Sequence, residues 1–379
     1  MTASTSSSKR DQLIDFVALG GFLGSGKTTT ILTAAEELAR AGRRVAVIAN
    51  DQGSSLVDGK LFRSRLDAVG EVVGGCFCCR FDDLLGAVDE VLADGSFDVV
   101  IAEAVGSCTD LQATVLRPLR KEYSDRFRVA PLTTIVDLQR LEGFEAAADR
   151  GDHQSDMSYL FAHQLAEADI IAVNKADLMS PDEHNQRVER LARRYPHAKV
   201  LGYSARTGDG FEALVNAWDR PPLSPIVDIE YDRYAAAEAE LAWLNLTYEL
   251  SSSAGFSPER WGVAALDQLA RDAASAEWVV GHAKLAIEAD GELTKMSITR
   301  AGMAPSVDVP GPSEDVLRGT AYLNARIACE PDEMDAAAAA AVKAADAAAG
   351  VCSESIDGEG GSFKPGYPTP THRILEPVG

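Results

Sequence analysis

The chain has 379 residues, of which 46% are hydrophobic and 25% charged, so it can bury a substantial core and is too long for one compact domain. Its formal net charge of −22 makes most of the surface repel phosphate, which excludes nucleic acid and anionic membranes as general partners. No stretch approaches the roughly 20 apolar residues of a membrane span, so no membrane association is predicted.

The N-terminal segment and the cysteines indicate a compartment. Residues 1–12 are rich in Ser and Thr and are predicted to form a disordered tail without the apolar stretch of a secretory signal. Three of the 6 cysteines crowd into Cys76, Cys78 and Cys79, whereas a disulfide framework would spread them along the chain. We therefore expect reduced thiols and a cytoplasmic location.

Residues 13–220 alternate short apolar runs with amphipathic stretches, the pattern of strand–helix units around a parallel sheet. Near-continuous apolar runs are typical of strands that are covered on both faces. Helices are predicted over Thr28–Arg40 and Asp82–Leu92. Strands are predicted over Leu13–Leu19, Val45–Ala49, Val99–Ala102, Leu132–Val136, Ile170–Val173 and Val200–Tyr203.

A phosphate-binding motif follows the first predicted strand, where residues 21–28 read GFLGSGKT and fit GxxxxGK[ST]. Glycines let the backbone wrap closely around a phosphate and point its N–H groups at it. In this motif Lys27 supplies a catalytic cation to the β- and γ-phosphates, and the Thr28 hydroxyl ligates Mg²⁺. An ordinary glycine-rich turn would not require the position between strand and helix, so the predicted fold class is an α/β P-loop NTPase. The nucleotide-binding residues predicted from the motif are Gly21, Gly24, Ser25, Gly26, Lys27, Thr28 and Thr29.

Two later strands end in acidic residues that we expect beside the phosphates. The strand Val45–Ala49 is followed by NDQG, in which Asp51 is the candidate to orient the attacking water or ligate Mg²⁺. The strand Val99–Ala102 is followed by EAVG, in which Glu103 takes the place of a Walker-B acid and the Gly106 amide senses the γ-phosphate. Acids at strand ends also serve as simple caps, and this alternative stays open.

Between these two segments, residues 74–80 read GGCFCCR. The thiols of Cys76, Cys78 and Cys79 offer a soft site for Zn²⁺ or another late transition ion such as Co²⁺ or Ni²⁺. We expect Arg80 and the start of the following helix to lower the pKa of the thiols. A peroxide-sensing thiol pair and buried small apolar side chains remain alternatives.

The cysteine cluster supplies at most three ligands, and the residues alone identify no fourth. Cys108 follows the second acidic segment, although a cysteine in such a position is more often part of a core. The 6 histidines are scattered along the chain, which argues against a His-rich metal store.

A base pocket is predicted where NKAD, residues 174–177, follows the strand Ile170–Val173 and fits the NKxD guanine-recognition element. The Asp177 carboxylate accepts from both N1–H and N2–H₂ of guanine, a paired contact that adenine does not offer. After the next strand, SARTG at residues 204–208 resembles the loop that closes over the base, although it is also a plain polar turn. GTP is therefore the predicted nucleotide, and its base pocket is predicted to comprise Asn174, Lys175, Asp177, Ser204 and Ala205.

The second half of the chain changes pattern after Pro221 and Pro222, so residues 221–235 are predicted to be a linker. Residues 236–350 are predicted to form a smaller α+β domain, one sheet with helices on one face. Because nothing in its sequence suggests chemistry, we expect this domain to choose a partner. Residues 351–379 are predicted to be an extended tail rich in Gly and Pro, although the stretch FKPGYPTPTHR also suits a fixed arm. The expected strands are Leu241–Leu250, Trp278–Glu288, Lys295–Thr299 and Ala321–Cys329, and the expected helices are Ser257–Arg271 and Pro331–Ala348.

The motifs GGFLGSGKTT, GGCFCC, EAVG and ADIIAVNKADL, in this order, closely resemble the CobW/UreG/HypB family of P-loop metallochaperone GTPases, and its CobW-like branch most. The resemblance covers residues 14–215, and the distal region is similar to the C-terminal domain of that branch. It implies hydrolysis of GTP to GDP and phosphate, coupled to loading or release of Zn²⁺, Co²⁺ or Ni²⁺ for a client metalloprotein. The thiolates of Cys76, Cys78 and Cys79 would be the transfer site.

Two departures and three alternatives accompany this resemblance, and the scattered histidines described above are one of the departures. The first switch reads NDQG rather than NExG, which leans toward the urease-accessory style of switch. A different class of function is a GTP-gated activator of a cofactor-dependent enzyme, such as a corrinoid enzyme, that carries no metal and has structural cysteines. A redox-sensing GTPase is a third hypothesis, and a nucleotide-dependent homodimer is left open.

Overall fold

The computed structural model describes residues 13–50, 57–149, 156–223, 225–376 and 378. The predicted tail, residues 1–12, and the predicted catalytic residue Asp51 lie outside the described residues. Across the described residues, no helix combines the length and the apolar character needed to cross a membrane.

The first domain is built around a parallel sheet. Its strands are β1 (Ile14–Gly20), β2 (Val45–Asn50), β3 (Val69–Val72), β4 (Val99–Glu103), β5 (Phe127–Val129), β6 (Thr133–Asp137), β7 (Ile170–Asn174) and β8 (Lys199–Gly202). They run in the order β3-β2-β4-β1-β6-β7-β8, with β5 paired to β1, and each described pairing is parallel. The predicted fold class is confirmed.

Helices connect these strands. They are α1 (Lys27–Arg40), α2 (Val57–Arg63), α3 (Phe81–Ala93), α4 (Arg117–Glu122), α5 (Leu138–Asp149), α6 (Asp156–Ala166), α7 (Pro181–Arg194), α8 (Phe211–Ala217) and α9 (Tyr231–Ala239). A π-helical turn, Gln112–Leu116, precedes α4. The sequence at the start of α7 shows why a helix begins there. The Ser180 side chain accepts a hydrogen bond from the Glu183 amide. Pro181 occupies the first turn, where its missing N–H costs nothing.

Both faces of the parallel sheet are covered. In β1, Phe16 and Ala18 belong to the apolar cluster that contains α3, whereas Val17 and Leu19 belong to the cluster that contains α1. Side chains alternate across a strand, so a strand between two layers of helices must be apolar at every position. This explains why the strands are continuous apolar runs in the sequence.

The second domain is an antiparallel sheet with two helices. Its strands are β9 (Ala242–Phe256), β10 (Val280–Ala289), β11 (Glu292–Ile298), β12 (Ser306–Val309), β13 (Val316–Ile327) and β14 (Cys352–Phe363), and its helices are α10 (Pro258–Ser275) and α11 (Pro331–Ala349). The strand order is β12-β11-β10-β13-β9-β14. Both helices pack in one apolar cluster with Leu285 and Leu323 of the sheet, so they cover one face.

The predicted tail is partly wrong. Within residues 351–379, Cys352–Phe363 forms β14 and pairs with β9. Without it, β9 would leave a long row of unpaired backbone groups at the sheet edge. A register shift between Ser355 and Gly360 accommodates the glycine-rich stretch, which reads as loop in the sequence.

The predicted linker, residues 221–235, and the domain limits stay predictions. The structure shows that α9 begins inside this stretch and that its Tyr234 and Ala237 are buried in the core cluster of the first domain. The α9 segment is therefore an ordered connection that adds to the first domain.

The second sheet lies with its helix-free face on the first domain. Trp243 belongs to the core cluster of the first domain, whereas its neighbour Leu244 belongs to the core of the second. The Arg140 guanidinium of α5 donates to the carbonyl oxygens of Val280 at 3.2 Å, Gly281 at 2.9 Å and Thr299 at 2.6 Å. One side chain of the first domain thus satisfies three carbonyls of the second.

Arg140→Ala is expected to lower the free energy of unfolding by about 1–3 kcal/mol, because it leaves these carbonyls without their charged donor. Urea unfolding followed by tryptophan fluorescence measures the change. Arg193→Ala is the matched control, since Arg193 is largely exposed and its contact with Glu189 spans 3.7 Å. Equal stability of the two variants would show that Arg140 does not hold the domains together.

Candidate functional site

The phosphate-binding loop and the guanine-recognition element are in direct contact. Gly26 has φ 97°, and a side chain there would overlap the Asn174 amide, so glycine is required on both counts. Asn174 Nδ2 donates to the Ser25 carbonyl at 3.0 Å. Lys27 Nζ donates to the Gly21 carbonyl at 2.7 Å, which folds the ammonium over the loop where a phosphate would be held.

Three oxygen ligands meet beside this loop. Thr28 Oγ1 donates to Glu103 Oε1 at 3.2 Å. Asp58 of α2 lines the same cavity, and its Oδ1 is buried without a hydrogen-bond partner among the described residues. A hydroxyl and two carboxylates form the hard oxygen set that Mg²⁺ prefers, so the residues fit this ion. Sequence reasoning missed Asp58, although its position in the first turn of the helix after the first switch was a usable signal.

The electrostatics of this corner also favour a bound cation. Burial, together with the nearby charge of Asp58, raises the pKa of Glu103 to about 7. Burial lowers the pKa of Lys27 to about 8. The buried Glu103 carboxyl and the half-buried Asp58 carboxyl lie close together and are stabilised when a cation lies between them.

The second domain forms the roof of the nucleotide cavity, which has a volume of about 540 Å³. This size suits a nucleotide. Lys284 and His282 of β10 and Lys295 of β11 line the cavity opposite the phosphate-binding loop, and Lys284 pairs with Asp58. The sequence of this domain suggested no chemistry, but strand alternation places these polar side chains on the face opposite the helices, where they line the cavity.

The predicted base-pocket residues lie together. The Asn174 carboxamide accepts the Ala205 amide at 3.0 Å, which joins the NKAD element to the SARTG loop. Lys175 Nζ donates to the Gly24 carbonyl at 3.0 Å and to Asp137 at 2.7 Å. Thr29 and Gly106 also line the cavity.

Hydrogen bonds fix the position of the Asp177 carboxylate, which lines the nucleotide cavity. Its Oδ1 accepts the Ser204 hydroxyl at 2.6 Å, and its Oδ2 accepts Arg206 Nε at 3.0 Å and Nη2 at 2.6 Å. Burial opposes ionisation, but the hydrogen bonds from Ser204 and Arg206 outweigh it and hold the pKa of Asp177 below its ordinary value. The guanidinium presents paired N–H donors to this carboxylate, as the N1–H and N2–H₂ edge of guanine does.

The cysteine loop is fixed to the end of β2 by one side chain. Asn50 Nδ2 donates to the carbonyls of Val72 at 3.0 Å and Gly75 at 2.7 Å, and its Oδ1 accepts the Phe77 amide at 3.1 Å. Asn50 also lines the nucleotide cavity. The same residue therefore belongs to both sites.

The three predicted thiols lie within 4.8 Å of one another. The Sγ atoms of Cys76 and Cys78 are 2.6 Å apart, and those of Cys78 and Cys79 are 3.7 Å apart. Hydrogen bonds from Cys108, then from the other two thiols, hold the pKa of Cys76 well below its ordinary value, whereas the pKa values of Cys78 and Cys108 are raised. Cys76 is therefore the thiol of this cluster whose ionisation is most favoured.

The expected role of Arg80 is wrong. Its guanidinium pairs with Asp83 of α3 rather than with a thiol. Hydrogen bonds among the sulfurs, not a neighbouring cation, decide which cysteine ionises first.

A segment that we define as the C-terminal arm, residues 364–376, covers the cysteine loop. The Thr369 amide donates to Cys79 Sγ at 3.2 Å, and the Thr371 amide donates to the Cys78 carbonyl at 3.1 Å. The His372 ring lies 4.7 Å from the Phe81 ring, measured between centroids. The sequence left open whether the stretch FKPGYPTPTHR is a fixed arm. In the structure this stretch is packed beside the thiols.

A buried carboxylate anchors this arm. Asp110, only 2% exposed and with φ 63°, accepts Arg373 Nε at 2.8 Å and the Tyr231 hydroxyl at 2.7 Å. Arg373 Nη2 also donates to Asp228 at 2.5 Å. A carboxylate buried to this extent needs a charged partner, and the arm brings one from the other end of the chain.

With this geometry in view, comparison with known proteins identifies the first domain. The family model of the CobW/HypB/UreG nucleotide-binding domain matches residues 15–201. The nucleotide-binding domain of this chain belongs to the CobW/HypB/UreG family.

Curated relatives of this CobW/HypB/UreG chain include proteins named as zinc chaperones. CobW of Pseudomonas aeruginosa is 29% identical over 186 residues, which are 43% of this chain and 48% of that protein. YjiA of Escherichia coli is 28% identical over 197 residues, 50% of this chain and 57% of that protein. YeiR of Escherichia coli is 31% identical over 175 residues, 45% and 48% of the two chains. The chain thus spans about half the length of these relatives.

Among solved structures, Zn(II)-bound YjiA GTPase from Escherichia coli covers 87% of this chain and 99% of its own, at 18% identity and a TM-score of 0.35. HypB from Helicobacter pylori in complex with nickel covers 54% of this chain and 84% of its own, at 18% identity and a TM-score of 0.39. Because these identities and TM-scores are low, we assign the fold from the strand order of the chain itself.

His282, which lines the cavity, makes the free energy of unfolding depend on pH. Burial, reinforced by the charges of Lys284, Arg326, Lys27 and Arg140, holds the pKa of His282 well below its ordinary value of 6.5. The unfolded chain takes up a proton below that value and the folded chain does not, so stability falls as the pH drops, by up to about 1.4 kcal/mol per pH unit.

His282→Asn is expected to remove this contribution, so the variant loses less unfolding free energy than the parent between about pH 7.5 and pH 5.5. Urea unfolding at both pH values measures the difference. The parent measured in parallel at both pH values is the reference. Parallel behaviour of the parent and His282→Asn would contradict this assignment.

Proposed function

We propose that this protein is a GTP-hydrolysing metallochaperone that couples its nucleotide cycle to transfer of a divalent transition metal to a client protein. Zn²⁺ is the first candidate cargo, with Co²⁺ and Ni²⁺ as alternatives. The observation that carries the proposal is the position of Asn50, which lines the nucleotide cavity and holds the cysteine loop through three hydrogen bonds. The names of the relatives, zinc chaperones, support it.

GTP is favoured over ATP by the arrangement around Asp177. Its carboxylate already accepts paired N–H donors from Arg206, and guanine would replace that guanidinium. Adenine offers no such pair and could not take the place of Arg206 on this carboxylate, which is a basis for discrimination.

Hydrolysis would use the residues gathered at the phosphate end. Lys27 and the loop amides neutralise and orient the β- and γ-phosphates, while Thr28, Glu103 and Asp58 would hold Mg²⁺, which supplies further charge neutralisation when bound. Asp51 remains our proposed residue for orienting the attacking water. Lys284 adds a cation from the roof of the cavity.

The cargo site would be the cysteine cluster. Thiolates are soft ligands that favour Zn²⁺, and binding replaces the protons now shared among the sulfurs and releases them to solvent. Such thiols need a reducing compartment, for which we propose the cytoplasm. A client with a basic or neutral docking patch would suit a chain of net charge −22.

Coupling follows from the chain connection. Asn50 directly precedes the first switch, and the cysteine loop lies between the two switches in sequence. A nucleotide that repositions Asn50 would alter the loop that carries the thiols. A coupling free energy of about 1–3 kcal/mol is enough to change metal affinity about 5–150-fold.

One observation favours the second candidate, a GTP-gated activator of a cofactor-dependent enzyme that carries no metal. Cys76 and Cys78 are only 3% and 1% exposed and lie within the main apolar cluster, as structural cysteines would. Metal analysis distinguishes the two candidates, because only the metallochaperone retains stoichiometric metal that depends on Cys78.

The proposal is tested by GTP turnover with and without Zn²⁺, Co²⁺ or Ni²⁺ in the parent, Lys27→Ala and Cys78→Ala. Lys27→Ala is expected to lower turnover at least about 100-fold, because it removes the main cation on the transferred phosphate. Cys78→Ala is expected to keep its basal turnover and lose both the metal and the metal response.

Cys329→Ala, which removes a buried cysteine of the second domain, is the matched control and is expected to behave as the parent. If turnover ignores metal and metal affinity ignores the nucleotide in the parent, the coupling proposed here does not exist.

The arm should control metal release. A chain ending at Gly366 loses the Thr369 amide bond to Cys79 and the cover over the loop, so it is expected to transfer Zn²⁺ to a chelator severalfold faster than the parent. Stopped-flow absorbance of a zinc-responsive chelator measures the rate. A chain ending at Glu376 retains the arm and is expected to match the parent, and equal rates in both truncated chains would assign the arm no part in release.

A further inference from the structure

We infer that the groove which holds the C-terminal arm is the docking site for an extended, arginine-bearing segment of the client, and that the arm fills it as a displaceable substitute. The inference rests on the proposed function and adds the site and the chemistry of the partner. We define the arm groove by the residues of the first domain that contact the arm: Cys78, Cys79, Asp110, Ala113, Arg117 and Tyr231.

The arm is held through its main chain, as a bound peptide is. It forms neither helix nor strand. The Thr369 amide donates to Cys79 Sγ at 3.2 Å, and the Thr371 amide donates to the Cys78 carbonyl at 3.1 Å. The prolines on either side of Thr369 have no amide hydrogen, so each amide that this stretch possesses is directed at the groove.

The same kind of contact continues past the thiols. The Ile374 amide donates to the Ala113 carbonyl at 2.9 Å, and the Ile374 carbonyl accepts Arg117 Nη1 at 3.0 Å. Contacts to the main chain hold an extended segment whatever its side chains are, whereas pockets for single side chains give specificity. The groove therefore has the means to bind a segment of another protein.

One pocket of the groove selects a side chain. Arg373 Nε donates to Asp110 at 2.8 Å and Nη2 donates to Asp228 at 2.5 Å. The guanidinium carbon lies 5.3 Å from the centroid of the Tyr231 ring. A planar guanidinium makes all three contacts at once, which the compact ammonium of lysine does not. The occupant of this pocket is therefore an arginine.

The arm lies on the surface of the first domain and adds nothing to its core. Among residues 364–376 only Pro368 is buried, and none belongs to an apolar core cluster. Departure of the arm would chiefly break polar contacts. For Asp110 the loss of a charged hydrogen-bond partner is costly unless another guanidinium takes its place. This cost favours exchange of one arginine segment for another over an empty groove.

The position of the groove connects it to the cargo. The Thr369 amide covers Cys79, so direct transfer of an ion from the thiols to a client requires the arm to leave. A client segment with its arginine beside Asp110 would take over the same hydrogen bonds and bring its neighbouring residues to the thiols. A basic segment also suits a chain of net charge −22.

The test uses full chains and a fluorescent peptide with the sequence of the arm, KPGYPTPTHRILE. Arg373→Glu places a carboxylate against Asp110 and Asp228 and is expected to expel the arm. This variant is expected to bind the peptide at least about tenfold more tightly than the parent, whose own arm competes at a high effective concentration. Fluorescence anisotropy without metal or nucleotide measures the affinity. Arg193→Glu makes the same charge change at an exposed position and is expected to match the parent.

Changes in the peptide test the pocket. The peptide with Arg373→Ala is expected to bind the Arg373→Glu chain at least about tenfold more weakly, and the peptide with Arg373→Lys is expected to recover only part of the loss. The Zn²⁺-loaded Arg373→Glu chain is expected to release its ion to a chelator severalfold faster than the parent. Saturating arginine peptide is expected to restore the slow release, because it covers Cys79 again.

Equal affinity of the parent and Arg373→Glu for the peptide, or none in either, would overturn the docking groove. Arg373→Ala, which removes the charge without reversing it, decides the question if Arg373→Glu does not fold. Equal binding of the arginine and alanine peptides would overturn the arginine pocket. A parent dimer that the peptide dissociates would assign the groove to the arm of a second copy and overturn the client segment. Peptide binding by a chain that retains no zinc would instead refute the proposed function, so the two failures are distinguishable.

Discussion

The parallel pairing of β1, β2 and β4 is the constraint on which both sites depend. Hydrogen bonds across β2-β4-β1 bring the carboxyl ends of these strands to one edge of the sheet. The phosphate-binding loop follows β1, the first switch follows β2, and the second switch follows β4. Because the cysteine loop is the connection from β3 to α3, at the same edge, it must pack against the ends of its neighbours. The three hydrogen bonds of Asn50 are the local consequence of that packing.

The second domain adds positive charge to the nucleotide cavity of the first domain. A chain of net charge −22 must bind a polyanion, and the phosphate-binding loop offers the cation of Lys27, whose pKa is itself lowered to about 8 by burial. The antiparallel sheet places Lys284 and Lys295 across the cavity. In the conformation described here Lys284 pairs with Asp58, so a bound nucleotide and its cation would exchange partners with residues already present. Domain docking and nucleotide binding are thereby linked.

The thiol cluster is enclosed by two separate parts of the chain. The cysteine loop supplies three sulfurs, and the arm covers Cys79 with the Thr369 amide. Burial raises the cost of a thiolate, and hydrogen bonds from neighbouring thiols compensate at Cys76. Under the proposed function, an ion delivered to such an enclosure would be protected from water, and its release would depend on moving a covering segment. Such an enclosure would suit transfer to a partner better than storage.

The sequence by itself determined the features that reside in contiguous residues. The phosphate-binding loop, the NKAD element and the Cys-x-Cys-Cys cluster each need their residues at fixed spacing along the backbone, so the spacing is visible before folding. The apolar runs likewise predicted the parallel sheet, because strands covered on both faces show no alternation. The tertiary structure alone decided the positions of Asp58, Lys284 and the arm, and it turned part of the expected tail into β14. These positions depend on which strand face meets which domain and on contacts between residues that are far apart in the chain, such as Cys79 and Thr369, which are 290 positions apart. Local spacing carries no information about such contacts, since they are set by the packing of whole elements.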